Sequence, residues 1–222
     1  MAGLTEIDFK NRIARRCALE IEDGDFVNLG IGLPTLVGNF IPQDYFITLH
    51  SENGFIGLDG DAKKGCEDAD IVNAGAVYSK VAPHVCYFDS CLSFDIMRAG
   101  FLDKTVIGAM QVSRNGDIAS WIVPGKIVAG MGGAMDLVVG AKSVIVGMLH
   151  TQKGEHKILD KCTLPLTAPH AASLIVTEMC VMKVVKEGLL VTEIHSDYTK
   201  EQVQSATGTK LLFSPDLQAM RL

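Results

Sequence analysis

Among the 222 residues of this sequence, Glu52 is the side chain best placed to act as a nucleophile. It stands in Ser51-Glu52-Asn53-Gly54, directly after the apolar run Phe46-Ile47-Thr48-Leu49-His50. That run reads as a buried strand, and the Asn-Gly behind the carboxylate reads as a tight turn. A group at such a junction lies outside the carboxyl end of a strand, where open α/β sheets present their chemistry. A Glu of ordinary acidity is ionised at neutral pH and needs no separate base. It can attack the carbonyl of a thioester, giving a mixed anhydride and a free thiolate. The thiolate can return to the glutamyl carbonyl, leaving a glutamyl thioester and releasing the first acid. A second acid then runs the sequence backwards, which is covalent catalysis with ping-pong kinetics. Asp would be one methylene too short to reach both partners. The plainer alternative is that Glu52 is a surface turn residue.

Two glycine-rich segments accompany it. In Gly130-Met131-Gly132-Gly133-Ala134-Met135-Asp136-Leu137, backbone amides freed by the glycines can point at an oxyanion, which each acyl-transfer step creates. The competing reading is a tight packed turn. The segment Asn28-Leu29-Gly30-Ile31-Gly32-Leu33-Pro34-Thr35 is a strand-to-helix turn able to cradle a phosphate or lie along an extended ligand. It is not G-x-G-x-x-G, since Pro34 follows soon after Gly32 and no final glycine arrives, so a dinucleotide site is excluded. Ser51 and Asn53 either orient Glu52 or simply form the turn. Trp121, the single tryptophan, is expected in the core or at an interface.

The six cysteines (Cys17, Cys66, Cys86, Cys91, Cys162, Cys180) contain no C-x-x-C pair, and the six histidines are scattered without H-E-x-x-H. No metal site is expected. Cys17 and Cys180 lie in apolar runs and read as core thiols. His50, the histidine nearest Glu52 in sequence, would share its side only if regular strand geometry continued through the turn.

Together with Trp121-Ile122-Val123-Pro124-Gly125-Lys126, these motifs resemble the β subunit of the family I coenzyme A transferases, from Arg12 to about Glu193. The resemblance is to the acetoacetate-type enzymes, which exchange CoA with acetate, butyrate or succinate. It implies that Glu52 is the nucleophile and that the Gly133 amide, within the loop of Gly130, Gly132 and Gly133, is an oxyanion donor. It further implies that Asn28, Gly30 and Gly32, with Ser51 and Asn53, wall the substrate and CoA site. A partner α subunit would supply the second oxyanion donor and most acid contacts, in a heterotetramer or larger. CoA thioester enters as substrate, with no cofactor. The favoured exchange is between acetoacetyl-CoA and acetate or butyrate; the alternative is a succinyl-CoA:3-oxoacid enzyme. Two other readings of the same fold are a sugar-phosphate isomerase and a ligand-binding regulatory domain.

The elements that must hold these residues read as one domain over 1–222, an α/β fold with a mixed sheet flanked by helices. A helix is expected over Ile7–Ile21 with a Thr5/Asp8 capping box, and a strand over Phe26–Leu29. A helix from Pro34 to about Pro42, the strand Phe46–His50, a loop over Leu58–Asp70 and a short strand Ile71–Ala74 follow. Asp89 or Ser90 caps a helix through Met97. Strands are expected at Thr105–Val112, Ile118–Ile122 after an Asn115-Gly116 turn, and Ser143–Leu149. Lys186-Glu187-Gly188 joins Val181–Val185 to Leu189–Thr192, and a last helix covers Thr199–Thr207. These hairpins argue against a purely parallel sheet.

Composition limits the partners. A hydrophobic fraction of 48% and a mean hydropathy of +0.25 leave apolar surface for a large interface. The net charge of −6 without a basic run argues against nucleic acid. No apolar stretch reaches membrane-spanning length and no export signal is visible, so a cytoplasmic protein off the membrane is expected.

Overall fold

The computed structural model describes residues 5–125 and 130–222; Lys126, at the end of the Trp121 motif, lies outside them. The first helix, α1 (Glu6–Ala18), starts as expected, with the Asp8 carboxylate accepting the Thr5 backbone N–H at 2.7 Å. Its apolar face, Ile13, Ala14 and Cys17, is fully buried. The strand β1 (Phe26–Leu29) follows, and then a 3₁₀ helix over Leu33–Phe40 in place of the expected α-helix. Next come β2 (Thr48–Ser51), β3 (Phe55–Asp61) and β4 (Ser79–Tyr87), and α2 (Ser90–Arg98), whose N-cap Asp89 accepts the Leu92 N–H.

The second half contains β5 (Lys104–Ile107), β6 (Gln111–Ser113), β7 (Ile118–Ala119), α3 (Ala134–Gly140), β8 (Ser143–Gly147), β9 (Thr151–Gln152), β10 (Glu155–His156) and β11 (Ile158–Leu159). It ends with β12 (Leu174–Val176), β13 (Cys180–Val185), β14 (Gly188–Ile194), α4 (Lys200–Ser205) and β15 (Leu212–Ala219). Ten of these strands form one sheet in the order β15-β14-β13-β12-β8-β5-β1-β2-β3-β4. The five from β12 to β2 are parallel, while β3, β4, β13 and β14 pair antiparallel with the strand before them. The mixed α/β sheet expected from the hairpins is therefore present.

From β1 the chain steps to β2 on one side, then returns to β5, β8 and β12 on the other. The order reverses between β1 and β5, and the crevice at the carboxyl ends of these strands is where such folds bind ligands. One face of the sheet is covered by α1 and the 3₁₀ helix, with Ile13, Cys17, Val27, Val106 and Val176 between them. The other carries α2 and α3 over Phe26, Met97, Leu102 and Leu137.

Several expected boundaries move. The strand expected over Phe46–His50 begins at Thr48, leaving Phe46 65% exposed against His84. The first four residues of the expected Leu58–Asp70 loop belong to β3, and Ile71–Ala74 makes only a single bridge, Val72 to Tyr78. The expected strand Thr105–Val112 is split after Ile107, so that β6 leaves the main sheet and pairs with β7 and β11. Strand β8 stops at Gly147, where a Cβ would press on Leu33 and Cys17.

Candidate active site

Glu52 occupies the turn between β2 and β3, at the carboxyl end of a parallel strand beside the crevice. The turn is closed by the Gly54 N–H donating to the Ser51 carbonyl at 3.1 Å. Gly54 has a φ of 131° and any Cβ there would collide with the Phe88 carbonyl. Only glycine therefore lets the chain reverse this close to the strand that precedes α2.

The flanking side chains fasten the turn and do not bond to Glu52. Ser51 Oγ donates to Asn53 Oδ1 at 2.6 Å and accepts the Ala74 N–H at 3.2 Å. Asn53 Nδ2 donates to the Val72 carbonyl at 2.8 Å. Both therefore tie the turn to the 71–75 loop. The Glu52 carboxylate is left free to face the second glycine segment. Its Oε1 accepts the Gly133 N–H at 3.1 Å. Gly133 is the N-cap of α3, and its own φ of −82° needs no glycine. The need is for space: a Cβ there would lie 2.5 Å from Glu52 Oε2. Gly132, at φ 55°, comes within 3.4 Å of Oε1 in the same sense, and Gly130 has a φ of 95°. Glycines 80 and 81 positions away from Glu52 thus let a helix N-terminus close on the carboxylate, and a backbone N–H so placed can donate to charge on the glutamyl oxygen.

Gly30 sits at the floor of the crevice, where its N–H donates to the Val106 carbonyl at 2.8 Å and a Cβ would press on that same oxygen at 3.1 Å. Gly32 turns the chain at φ 87° into the 3₁₀ helix. Asn28, expected at the wall, is only 4% exposed and its side chain is committed elsewhere. Its Nδ2 donates to the His50 carbonyl and ring Nδ1, each at 3.2 Å. His50 Nε2 in turn meets Ser93 Oγ of α2 at 2.9 Å. Burial pushes the His50 pKa down to about 4, so the ring is neutral, accepting at Nδ1 and donating at Nε2. The regular-strand condition for His50 to face Glu52 is not met, and the sequence held no local sign of its partners, which lie 22 and 43 positions away.

Two of the six cysteines are spent in the interior. Cys17 and Cys180 are buried as expected, and burial pushes both thiols up to about 12, out of nucleophilic range. Trp121 is half-buried and donates to the Leu166 carbonyl at 3.2 Å. Among the described residues no three His, Cys, Asp or Glu side chains are grouped to hold a metal ion, and no helix is long and apolar enough to cross a membrane.

Fold and site together describe an α/β enzyme subunit with a carboxylate presented to a helix N-terminus at the sheet's switch point. A family model, Coenzyme A transferase, matches residues 10–206. The chain is 46% identical over 216 residues to the acetate CoA-transferase subunit beta of Escherichia coli K12, covering 97% of this chain and 99% of that one. It is 45% identical over 219 residues to human mitochondrial succinyl-CoA:3-ketoacid coenzyme A transferase 2, covering 97% of this chain but 42% of that one. In three dimensions it follows an acyl-CoA transferase of Escherichia coli O157:H7, crystallised as a thioester complex with CoA, at a TM-score of 0.75 and 20% identity. That alignment covers all of this chain and 44% of the solved one.

The chain belongs to the coenzyme A transferase family. It corresponds to the β subunit of the family I enzymes, as the motifs indicated. The isomerase and regulatory-domain alternatives are thereby set aside.

Proposed function

We propose that this chain carries the nucleophile of a two-chain enzyme that moves CoA between acetoacetyl-CoA and acetate or butyrate. Glu52 attacks the thioester carbonyl, forming the acyl-glutamyl anhydride as the CoA thiolate leaves. The thiolate then adds to the glutamyl carbonyl, the carboxylate of the first acid departs, and Glu52 is held as its CoA thioester. The acceptor acid attacks that thioester and the steps run in reverse. The observation that carries this reading is the 3.1 Å bond from the Gly133 N–H to Glu52 Oε1. When thiolate adds to the glutamyl carbonyl, this oxygen becomes the oxyanion, and the donor is already in hydrogen-bond range. The relatives named for acetate and for succinyl-CoA:3-ketoacid transfer are nearly equally similar, at 46% and 45%. The acid is therefore argued from chemistry. A small monocarboxylic acid needs one anchor for its charge, whereas succinate needs a second cation.

The test uses the chain assembled with its α subunit. Incubation with acetoacetyl-CoA and no acceptor should load CoA on Glu52, detectable by mass spectrometry and by loss of the adduct after borohydride reduction. Glu52→Gln and Glu52→Asp should both abolish turnover in a folded protein. An adduct on Cys66 or Cys91 would overturn the mechanism. Acetate or butyrate should exceed succinate in kcat/KM. A tenfold preference for succinate, about 1.4 kcal/mol, would overturn the choice of acid alone.

A further inference from the structure

Glu52 and Gly133 stand on different elements, and their separation is only as well defined as the frame joining them. The structure shows that frame as a closed ring. Glu52 extends from the end of β2 and meets the N-cap of α3. Helix α3 is seated on α2. At its last residue, Gly140, a Cβ would collide with the Met97 carbonyl, so the two backbones touch, and Arg98 Nε donates to Asp136 Oδ1 at 2.7 Å. The ring closes where Ser93, fully buried in α2, meets His50, 2% exposed in β2 and two residues before the nucleophile.

Both ring nitrogens of His50 are used, since Asn28 of the neighbouring strand donates to Nδ1 and to the His50 carbonyl. Asn28 is thereby part of the device. In register beside it, on β5, stands Thr105, whose buried hydroxyl has no hydrogen-bond partner among the described residues. The polar row Asn28-His50-Ser93 thus runs beside the apolar cluster of Phe26, Phe94 and Met97, with Phe26 against the His50 ring. Packing alone would tolerate sliding of α2 over β2 by small amounts. Directional bonds buried in a low-dielectric layer do not, because each partner left unsatisfied costs free energy.

Resting on the reading of Glu52 as nucleophile, we infer that the Ser93–His50 bond is the positioning contact that sets the Glu52–Gly133 geometry, with α2 as the frame shared by the nucleophile and its oxyanion donor. Neither side chain touches the reacting atoms. Their effect is on where Glu52 stands relative to the α3 amide. A displacement on the order of 1 Å can cost up to about a hundredfold in rate.

A double-mutant cycle tests this in the assembled enzyme, using Ser93→Ala, Gly133→Ala and the combination. Ser93→Ala should lower kcat by about 10- to 100-fold, with KM for the acyl-CoA within about twofold. In the Gly133→Ala background, where the amide contact is already displaced, the same change should cost less than about threefold. His50→Gln, which offers an acceptor to Asn28 and a donor to Ser93, should recover most of the rate lost in His50→Ala. Equal losses from Ser93→Ala in both backgrounds, or an unchanged kcat in folded Ser93→Ala, would overturn the inference. Should Ser93→Ala fail to fold, the His50→Gln and His50→Ala pair decides: equal rates per folded molecule overturn it. An active Glu52→Gln enzyme would instead defeat the underlying reading of the nucleophile, so the two failures are distinguishable.

Discussion

Two glycines of the site do different physical work. At Gly133 the backbone angles suit any residue, and the obstruction to a Cβ is the end of a flexible side chain, Glu52. Gly133→Ala should therefore leave the melting temperature close to that of the parent while kcat falls about two to three decades, the cost of one misplaced oxyanion donor. At Gly54 both the φ of 131° and the Phe88 carbonyl forbid a side chain. Gly54→Ala should destabilise the fold by roughly 2 kcal/mol or more, measured by denaturant unfolding. If Gly133→Ala unfolds but keeps normal activity per folded molecule, the glycine only makes a turn. The position of Glu52 was legible because an apolar run followed by a carboxylate and Asn-Gly marks a strand end in one dimension. Its surroundings were less so. That Ser51 and Asn53 bond to each other and to the 71–75 loop depends on a chain reversal that the local sequence does not announce.

At the scale of elements, local signals were read correctly where they were local. The capping of α1 and α2, the hairpin β13–β14 and the Asn115-Gly116 turn, where Gly116 has a φ of 80°, each depend on residues within a few positions. Strand β4 was missed because Pro83 interrupts the Val81, Val85, Tyr87 alternation, a break that an edge strand tolerates. Helix α3 was missed for a different reason. Its sequence opens on glycines whose purpose is approach to Glu52 and not helix formation.

Long-range polar bolts were also invisible. Arg16 on α1 is 2% exposed and bonds both oxygens of Glu193 on β14, at 2.8 Å each, with Glu20 as a third partner. Burial works against the Glu193 charge, but the Arg16 bonds and charge outweigh it and hold the carboxyl below the usual range. Glu193→Ala leaves a buried guanidinium short of its main partner. It should cost on the order of 3 kcal/mol, and Arg16→Met in the same chain should restore most of it. Chemical denaturation of the single and double variants checks this; a single variant as stable as the parent would show that solvent reaches Arg16.

Two buried histidines contribute to how the molecule responds to acid. His50 joins β2 to α2, and His150 lies beyond β8, bonding Thr177 beyond β12 at 3.0 Å and Thr207 beyond α4 at 2.9 Å. Burial, joined at His150 by the nearby charges of His156 and Lys157, lowers each to about 4. A histidine in the unfolded chain takes up its proton near pH 6.5, whereas these remain neutral in the fold down to about pH 4. Between those values the unfolded state binds more protons, so stability falls as pH falls. Each contributes on the order of 3 kcal/mol that is present above pH 6.5 and lost by about pH 4. His150→Gln should flatten the fall in melting temperature across this window. An unchanged slope would mean that His150 is protonated in the fold.

The same molecule leaves the Glu52 carboxylate half-enclosed. Among the described residues, Glu52 receives one hydrogen bond, from Gly133, and no cation or second amide reaches its carboxylate. Large apolar side chains stand exposed on the helical layer of α2 and α3: Leu92 of α2, Phe101 after it, and Met135 and Val139 of α3, the last 71% exposed. Burying a side chain of this size is worth about 1.5–3 kcal/mol, and a contiguous set of them is characteristic of a subunit interface. The human relative spans more than twice this length in one chain, while the bacterial subunit beta matches it end to end. The family thus includes chains of about this length and chains more than twice as long. This chain, purified alone, should bind acyl-CoA weakly and transfer no CoA. Added α subunit should restore turnover with a dependence on its concentration that saturates at fixed stoichiometry, followed by light scattering and by CoA exchange in the same samples. Transfer at full rate by a monodisperse, monomeric chain would show that the second oxyanion donor and the acid anchor are already contained in these 222 residues.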